Sequence, residues 1–431
     1  MATVRPFQGI LYDPKRVDLS QVVAPPYDVI SPADQRRYYR QDPHNVVRLI
    51  AGEVHPTDTP EDNKYTRAAG FFQQWLADGI LRREAGPGLY VYQHQFVDPI
   101  NSQERVRRGL LGVVELEPFG SGVLPHEQTH ARAKADRLSL TRAVVANLSP
   151  VFALYEDPAS AVGPIINSAI AAPPRLSIRG EDGDHHTLWS ITGAEQIHEL
   201  AEVFSASRLY IADGHHRYET ALNFRNKQRQ DHPEASPDAA FNFVLMLLVD
   251  VADPGLTILP THRLLHDFER FDAALVSRLG SRHRVTPRPD RAALLAAMQE
   301  PTTGHRIGIA LTPTDYVTVD VEHAGAEDPV SRLDVSVLHQ EILQRELGLE
   351  PAELESERYL SYSRDVGGLL DRVETGAGQA AFLLRPPAVS DVVEVARAGQ
   401  VMPQKSTYFF PKPASGIVFN PLAAGIRIGP V

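Results

Sequence analysis

The chain has 431 residues, of which 43 % are hydrophobic and 23 % are charged, and its formal net charge at pH 7 is −11. This length is sufficient for two or three domains, each with its own core. An acidic chain argues against duplex DNA as the main partner, because DNA-binding proteins usually carry a basic face. The absence of cysteine excludes disulfides, thiolate-ligated metal centres and thiol redox chemistry.

The N-terminal residues do not resemble a secretory signal peptide, and no apolar run approaches the ~20 residues that span a bilayer. We therefore expect a cytoplasmic protein without a membrane or nucleic-acid partner. The expected partner is a small-molecule substrate, and the sequence is also compatible with a homodimer.

The first fifty residues are predicted to be rich in loops, with short strands at 9–12, 22–24 and 45–50. Pro25 and Pro26 fix an extended backbone between the second and third of these strands. Such a rigid segment holds Tyr27 and Asp28 in place, which makes them candidate substrate-binding residues. The alternative is a turn that is merely stiff.

The rest of the first half contains clear periodic patterns. Amphipathic or apolar periodicity predicts helices at 63–81, 138–147 and 193–206, and strands at 89–96, 105–115, 151–155 and 241–251. Residues 156–184, rich in Ala, Pro and Gly, are predicted to form a peripheral excursion with a short helix near Ile165. From about residue 267 helices and strands alternate again. We therefore predict an α/β (α+β) fold with one region at 1–265 and a C-terminal α+β domain at 266–431.

The most informative stretch lies at 208–222. A short apolar strand ends at Asp213, Gly214 allows a tight turn, and a helix is predicted to begin at once. Three basic residues follow in the first helical turn, where cations oppose the helix dipole and an anion would be stabilised. We therefore predict that a phosphate is bound by Gly214, His215, His216 and Arg217. The alternative is a helix start whose histidines only cap or pack.

A second candidate site follows Pro125. Residues His126, Glu127 and His130 match the His-Glu-x-x-His pattern of zinc metalloproteases. That chemistry requires both histidines on one face of a helix, with the glutamate as general base. The preceding proline and two upstream glycines disfavour such a helix, so zinc proteolysis is a remote alternative.

Phosphoryl transfer accounts for the same residues more economically. The reaction needs a carboxylate base, cations around the transferred group and usually Mg²⁺. Glu127 or Asp213 can act as the base, and the other can help to hold Mg²⁺. Asp213 is the candidate metal ligand. The further candidates are His216 as a catalytic residue, Lys134, Arg137, Lys405, Ser406 and Thr407 for phosphates, and His126 and Thr129 for the substrate. The alternative for Lys134, Asp136 and Arg137 is a solvent-exposed helix surface on which these residues form ion pairs with one another.

The Asp-Gly-His-His-Arg box at 213–217 resembles the phosphate-binding box of the ParB/sulfiredoxin-like superfamily, and within it the free-serine kinases. The whole chain also resembles a broad prokaryotic family of unknown function. The shared segments are Pro-Pro-Tyr-Asp-Val-Ile at 25–30, His-Glu-x-Thr at 126–129, Lys-x-Asp-Arg-Leu at 134–138, the box itself, and Lys-Ser-Thr-Tyr-Phe-x-Pro-Lys at 405–412.

This resemblance implies a ParB/sulfiredoxin-like core, elaborated at the N-terminus, and a kinase that phosphorylates free L-serine or a similar hydroxyl compound. It implies that Glu127 is the catalytic carboxylate and that 213–217 binds the phosphates of the donor, which is ATP, ADP or pyrophosphate. The chain is much longer than a minimal serine kinase and shows no helix-turn-helix. A nucleotide-binding regulator without turnover is the second hypothesis.

Overall fold

The computed structural model describes residues 1–128, 131–180, 183–272, 274–312, 315–321, 328–356 and 358–429. The chain divides into two compact units, Met1–Thr257 with Pro411–Val431, and Ile258–Phe410. The predicted mixed α/β class is confirmed. The predicted division after residue 265 differs from these units, because the C-terminal segment returns to the first unit through contacts that no local pattern reveals.

The strands are β1 Val4–Arg5, β2 Ile10–Tyr12, β3 Leu81–Arg83, β4 Leu89–Val97, β5 Glu104–Glu115, β6 Val123–Leu124, β7 Ala146–Asn147, β8 Val151–Tyr155, β9 Leu176–Arg179, β10 His185–Ile191, β11 Leu209–Asp213, β12 Phe243–Asp250, β13 Thr257–Ile258, β14 His262–Leu265, β15 Arg284–Arg288, β16 His305–Thr312, β17 Asp315–Val321, β18 Leu360–Ser363, β19 Ala380–Leu383, β20 Phe409–Phe410 and β21 Asn420–Pro421.

The α-helices are α1 Leu19–Val22, α2 Pro32–Gln41, α3 Val47–Ile50, α4 Lys64–Ala77, α5 Ala131–Val144, α6 Val162–Ile170, α7 Ala194–Ala206, α8 His215–Asp231, α9 Leu275–Gly280, α10 Arg291–Gln299, α11 Asp334–Val337, α12 Pro351–Glu355, α13 Val366–Glu374 and α14 Val389–Arg397. Short 3₁₀ turns lie at Tyr27–Val29 and Ala240–Asn242, and a π-helical segment at Leu338–Gln344 continues α11. None of the helices in the described ranges combines the length and apolarity needed to cross a membrane.

A nine-stranded sheet forms the centre of the first unit. Its strand order is β6-β11-β8-β12-β5-β4-β10-β9, with β1 paired to β5, and its pairs are parallel only at β6/β11 and β8/β12. Alternate side chains of the central strands are buried against α6, α7 and α8, where Leu200, Phe204 and Tyr218 belong to the same apolar core. This arrangement holds the carboxyl end of β11 and the start of α8 rigidly.

The C-terminal segment of the first unit packs against the other face of this sheet and against the N-terminal helices. Phe419 and Ile10 exchange two backbone hydrogen bonds of 2.9 Å, and Ser415 donates to the carbonyl of Ala24. Arg107 of β5, which is fully buried, donates to the carbonyl of Pro411 at 2.7 Å. These contacts fix residues 411–419 beside the segment that carries Tyr27 and Asp28.

The second unit contains a six-stranded antiparallel sheet of order β15-β17-β16-β19-β14-β18. Leu294, Leu370 and Val373 of α10 and α13 pack with strand residues in its apolar core. The predicted alternation of helices and strands after residue 267 is therefore confirmed.

Several predicted elements are wrong. Val47–Ile50 form a short helix instead of a strand, and the Asn45 side chain accepts a hydrogen bond from the Val47 amide at its start. Leu19–Val22 are also helical, because the side chain of the N-cap residue Asp18 accepts a hydrogen bond from the Ser20 amide. The peripheral excursion predicted at 156–184 contains the expected short helix, as α6, and in addition β9, which pairs with β10 at the sheet edge.

Candidate active site

The turn between β11 and α8 is built as the sequence predicts. Gly214 has a φ of +93°, a region that L residues rarely adopt. A β-carbon at this position would lie 2.9 Å from Nε of Arg217, so the turn also lacks room for a side chain. Helix α8 begins at His215, and the turn brings Asp213 and Arg217 onto the same side of its first turn.

Asp213 lies between two cations. Its Oδ2 accepts a hydrogen bond from Arg217, and its Oδ1 lies 2.6 Å from Nζ of Lys412. Lys412 is also paired with Asp28, and Arg217 also donates to the carbonyl of Pro150. The side chains of Asp213, Arg217 and Lys412 are only 15 %, 12 % and 10 % exposed, so water screens their charges weakly.

Burial and charge act in opposite directions on this carboxylate and its lysine. Burial raises the pKa of Asp213, but the positive charges of Lys412 and Arg217 outweigh it, so the pKa lies below its ordinary value. Burial lowers the pKa of Lys412, and the carboxylates of Asp213 and Asp28 raise it well above the ordinary range. Both residues of this pair are therefore charged at neutral pH.

Lys412 is the site residue that the sequence analysis did not assign. Its only signal is its position at the end of the Lys-Ser-Thr-Tyr-Phe-x-Pro-Lys segment, where the resemblance drew attention to the motif but gave the lysine no role. The structure brings it to Asp213 because residues 411–419 belong to the first unit.

Two buried histidines lie beside the turn. His126 and His215 make an edge-to-face contact with ring centroids 4.7 Å apart, and Nε2 of His215 accepts a hydrogen bond from the His126 amide. Nδ1 of His126 donates to the carbonyl of Ile211 at 2.7 Å, which fixes its tautomer. Burial lowers the pKa of His126 to about 4 and that of His215 well below the ordinary value. Both rings are therefore neutral at pH 7.

Glu127 adjoins this histidine pair. Its Oε2 lies 3.8 Å from Nδ1 of His215, which is longer than a hydrogen bond, and its side chain is 35 % exposed. The Glu127 carboxylate is thus accessible to solvent and lies beside the buried ring of His215. Glu127 is therefore an accessible acid next to the start of α8, whereas Asp213 is enclosed by its two cations.

Tyr27 and Asp28 reach the site by separate contacts. The guanidinium of Arg137 lies over the ring of Tyr27, 3.9 Å from its centroid, and donates to the carbonyl of Ile50. Asp28 is paired with Lys412. Arg137 therefore supports the Pro-Pro-Tyr-Asp segment, and its predicted role in phosphate binding is not evident from these contacts.

The remaining predicted residues are placed differently. Lys134 is paired with Glu219, one turn further along α8, at 2.7 Å. His216 is half-buried in the first turn of α8. Lys405, Ser406 and Thr407 belong to the second unit, where the Ser406 hydroxyl donates to the carbonyl of Pro403. Thr129 and His130 lie outside the described residues.

The zinc-protease pattern does not have the helical form that it requires. His126 and Glu127 lie in a non-helical segment before α5, and the ring nitrogen Nδ1 of His126 is bonded to a backbone carbonyl. Asp213, the residue predicted to hold Mg²⁺, is a poor ligand for it, because each of its carboxylate oxygens already contacts a cationic side chain. Asp213 therefore does not fit the predicted role of Mg²⁺ ligand.

The first unit is thus an α/β structure with a charged site where a strand ends and a helix begins. The chain belongs to the family described as protein of unknown function (DUF1015), whose model matches residues 4–336. A comparison with curated proteins finds no match. The ParB/sulfiredoxin-like core remains a prediction.

Solved structures show distant similarity. A conserved hypothetical protein from Pyrococcus furiosus is 16 % identical, with 70 % of this chain and 90 % of that chain covered and a TM-score of 0.32. A free serine kinase in complex with AMP is 14 % identical, covers 69 % and 86 %, and has a TM-score of 0.34. SbnI with a C-terminal truncation, from Staphylococcus aureus, is 11 % identical, covers 71 % and 85 %, and also has a TM-score of 0.34.

Proposed function

We propose that the protein is a small-molecule kinase that transfers a phosphoryl group from a nucleotide or pyrophosphate to a small hydroxyl compound, with free L-serine as the first acceptor to test. The observation that carries this proposal is the arrangement of Arg217 and Lys412 around one buried carboxylate at the start of α8. The two cations are fixed before any ligand arrives, which is what stabilisation of a transferring phosphoryl group requires.

The donor phosphates would bind at the turn formed by residues 213–217. The first amides of α8 have no carbonyl partner within the helix, and the positive end of its dipole favours an anion. Lys412 and Arg217 add two charges that water screens weakly, and they would form charge-assisted hydrogen bonds with a phosphate in exchange for part of their pairing with Asp213 and Asp28. Gly214 leaves the backbone accessible where a side chain would collide with Arg217.

Glu127 would act as the general base that accepts the proton of the acceptor hydroxyl. Asp213 is less suited to this role, because its two oxygens are held by cations that lower its pKa. Glu127 is partly exposed and lies beside the neutral ring of His215. Tyr27 and Asp28, held by Arg137 and Lys412, would contact the acceptor on the other side.

The direct test is phosphorus NMR of the protein with L-serine, Mg²⁺ and either ATP, ADP or pyrophosphate. The free serine kinase structures contain AMP or ADP, which is a reason to include ADP among the donors. A new phosphomonoester signal with one donor would establish the reaction. Arg217→Ala should abolish it, whereas Arg36→Ala, on the exposed surface of α2, should not.

Two other results have definite meanings. If Arg217→Ala retains turnover and donor affinity, the assignment of the turn to the donor is wrong. If a nucleotide binds, binding is lost in Arg217→Ala and no acceptor yields product, the protein is a nucleotide-binding regulator instead. The roles predicted for Lys405, Ser406 and Thr407 are tested in the same way by Lys405→Ala, which should weaken donor binding if they contact phosphate.

A further inference from the structure

A second cluster of chemically reactive side chains lies on the sheet of the first unit. It consists of His94 on β4, His186 on β10 and Asp184 just before β10. One potential ligand atom from each residue lies within 4.8 Å of the other two, and no other such group of three is found among the described residues. His94 and His186 are directly opposite in the antiparallel pair, with ring centroids 4.2 Å apart.

The cluster is buried, yet it is not a satisfied polar core. His94 and His186 are 1 % and 7 % exposed, and the Asp184 carboxyl lies 2.6 Å from Nε2 of His94. The other ring nitrogen of His94, Nδ1, is buried without a hydrogen-bond partner. Buried polar groups kept only for packing are nearly always paired, since an unpaired one costs about 1–3 kcal/mol.

A neighbouring residue orients one of the rings. The phenol of Tyr92 lies 2.8 Å from Nδ1 of His186 and is also hydrogen-bonded to the backbone of Ala414. This contact occupies Nδ1 of His186, so Nε2 is the candidate ligand atom of this ring. Partners of this kind, which hold the second nitrogen of a histidine, are typical of metal ligands.

We propose that His94, Asp184 and His186 bind one divalent transition-metal ion. Two imidazoles and one carboxylate are a ligand set for Zn²⁺ or Fe²⁺ that leaves further coordination positions open. His94 offers the metal its unpartnered Nδ1 or, where its hydrogen bond to Asp184 is exchanged for metal–ligand bonds, its Nε2; in both cases any proton on a coordinating nitrogen is released to water. The proposal does not depend on the phosphoryl-transfer function.

The local charges define what else such a site accepts. Asp184 supplies one negative charge, and Arg107, which pairs with His94 across β4 and β5, supplies one positive charge. The guanidinium of Arg107 donates to Pro411 and lies over the ring of Phe152. Because a bound dication leaves a net positive site, its open positions favour hydroxide or another anion.

The test is a calorimetric titration of chelator-treated full-length protein with Zn²⁺, followed by Co²⁺, whose visible absorption reports its ligands. We expect one equivalent to bind. Asp184→Asn and His186→Gln should each weaken Zn²⁺ binding by at least about 100-fold, because even the loss of a partner of a ligand costs about 10–100-fold. Tyr92→Phe, which removes such a partner, should weaken binding by about 10-fold or more.

The matched control is His185→Gln. His185 is adjacent to His186, but it contacts Ser177 at 2.9 Å instead of the cluster, so its replacement should leave the affinity unchanged. Zn²⁺ should also raise the midpoint of thermal unfolding of the wild type and not that of Asp184→Asn, which separates lost binding from lost folding.

Absence of stoichiometric binding of both metals to the wild type would overturn the proposal. Binding that survives in Asp184→Asn and in His186→Gln would also overturn it. If that surviving binding disappears in His126→Asn, the ion belongs to the segment with the zinc-protease pattern.

Discussion

Nζ of Lys412 lies 2.6 Å from Oδ1 of Asp213, so the C-terminal segment of the first unit completes a site that begins at the turn into α8. Lys412→Met would leave Asp28 without this partner and Asp213 with Arg217 alone. Breaking a buried ion pair costs about 3–5 kcal/mol. Because Arg217 remains, we expect a loss of about 2 kcal/mol in the free energy of unfolding and at least tenfold weaker donor binding. Urea unfolding and calorimetry measure these effects.

Lys227→Met is the matched control for this substitution. Lys227 pairs with Asp231 on the surface of α8, where both side chains are about half exposed. Such pairs contribute only about 0.3–0.5 kcal/mol. If Lys412→Met costs no more than Lys227→Met, the buried network does not stabilise the fold. A double-mutant cycle with Asp213→Asn should show coupling, since the two residues are in contact.

Gly214→Ala tests the geometry of the turn. The φ of +93° disfavours any L residue, and the new methyl group would lie 2.9 Å from Arg217 Nε. We expect a loss of about 1–2 kcal/mol from the backbone and a displaced Arg217 that binds the donor less well. The measurements are urea unfolding and donor titration.

Gly163→Ala, in the first turn of α6, provides the comparison. A β-carbon there meets no atom within 4 Å, and Gly163 has no positive φ. We expect no loss of stability and a gain of up to about 0.5 kcal/mol. Equal behaviour of the two alanine variants would contradict a strained turn at 214.

Local patterns predicted the turn because its determinants are adjacent in sequence. Gly214, the strand before it and the helix after it are all read from one stretch of residues. The contact between His126 and His215, and the pairing of Lys412 with Asp213, depend on how distant segments fold together. Helix α3 was missed because its buried apolar residues, Val47, Leu49 and Ile50, resemble a short strand.

Asp136 is predicted to make the stability of the first unit depend on pH in the acidic range. Burial raises the pKa of its carboxyl, but Arg137, Lys64 and Tyr65 together lower it from 3.8 to about 2. A carboxyl with a lower pKa in the folded state stabilises above its unfolded pKa, and this contribution disappears as the pH falls through about 4 to about 2.

The variant that tests this effect is Asp136→Asn. We expect its free energy of unfolding to be about 1–2 kcal/mol lower than that of the wild type at pH 7, a figure reduced to allow for the partial exposure of Asp136. The difference should shrink as the pH falls towards 2. Urea unfolding at a series of pH values measures the difference. Asp231→Asn, at the end of α8, corrects for the general effect of removing a negative charge. A difference that stays constant down to pH 2.5, where roughly two thirds of the contribution should be lost, would refute the assignment.

Glu127→Gln separates catalysis from binding at the proposed active site. The amide keeps the size of the side chain but cannot accept the proton of the acceptor hydroxyl. Loss of a general base typically reduces turnover by about 10²–10⁴-fold. We expect kcat to fall by this amount, while donor affinity changes by less than about threefold because Arg217 and Lys412 are untouched.

Initial rates from phosphorus NMR and donor titration by calorimetry give the two quantities separately. Glu195→Gln, the same change on the exposed surface of α7, should alter neither. Unchanged turnover in Glu127→Gln would place the base elsewhere, and an equal loss of turnover and donor affinity would make Glu127 a residue that shapes the site instead. Only a selective loss of turnover supports proton transfer to the carboxylate beside His215.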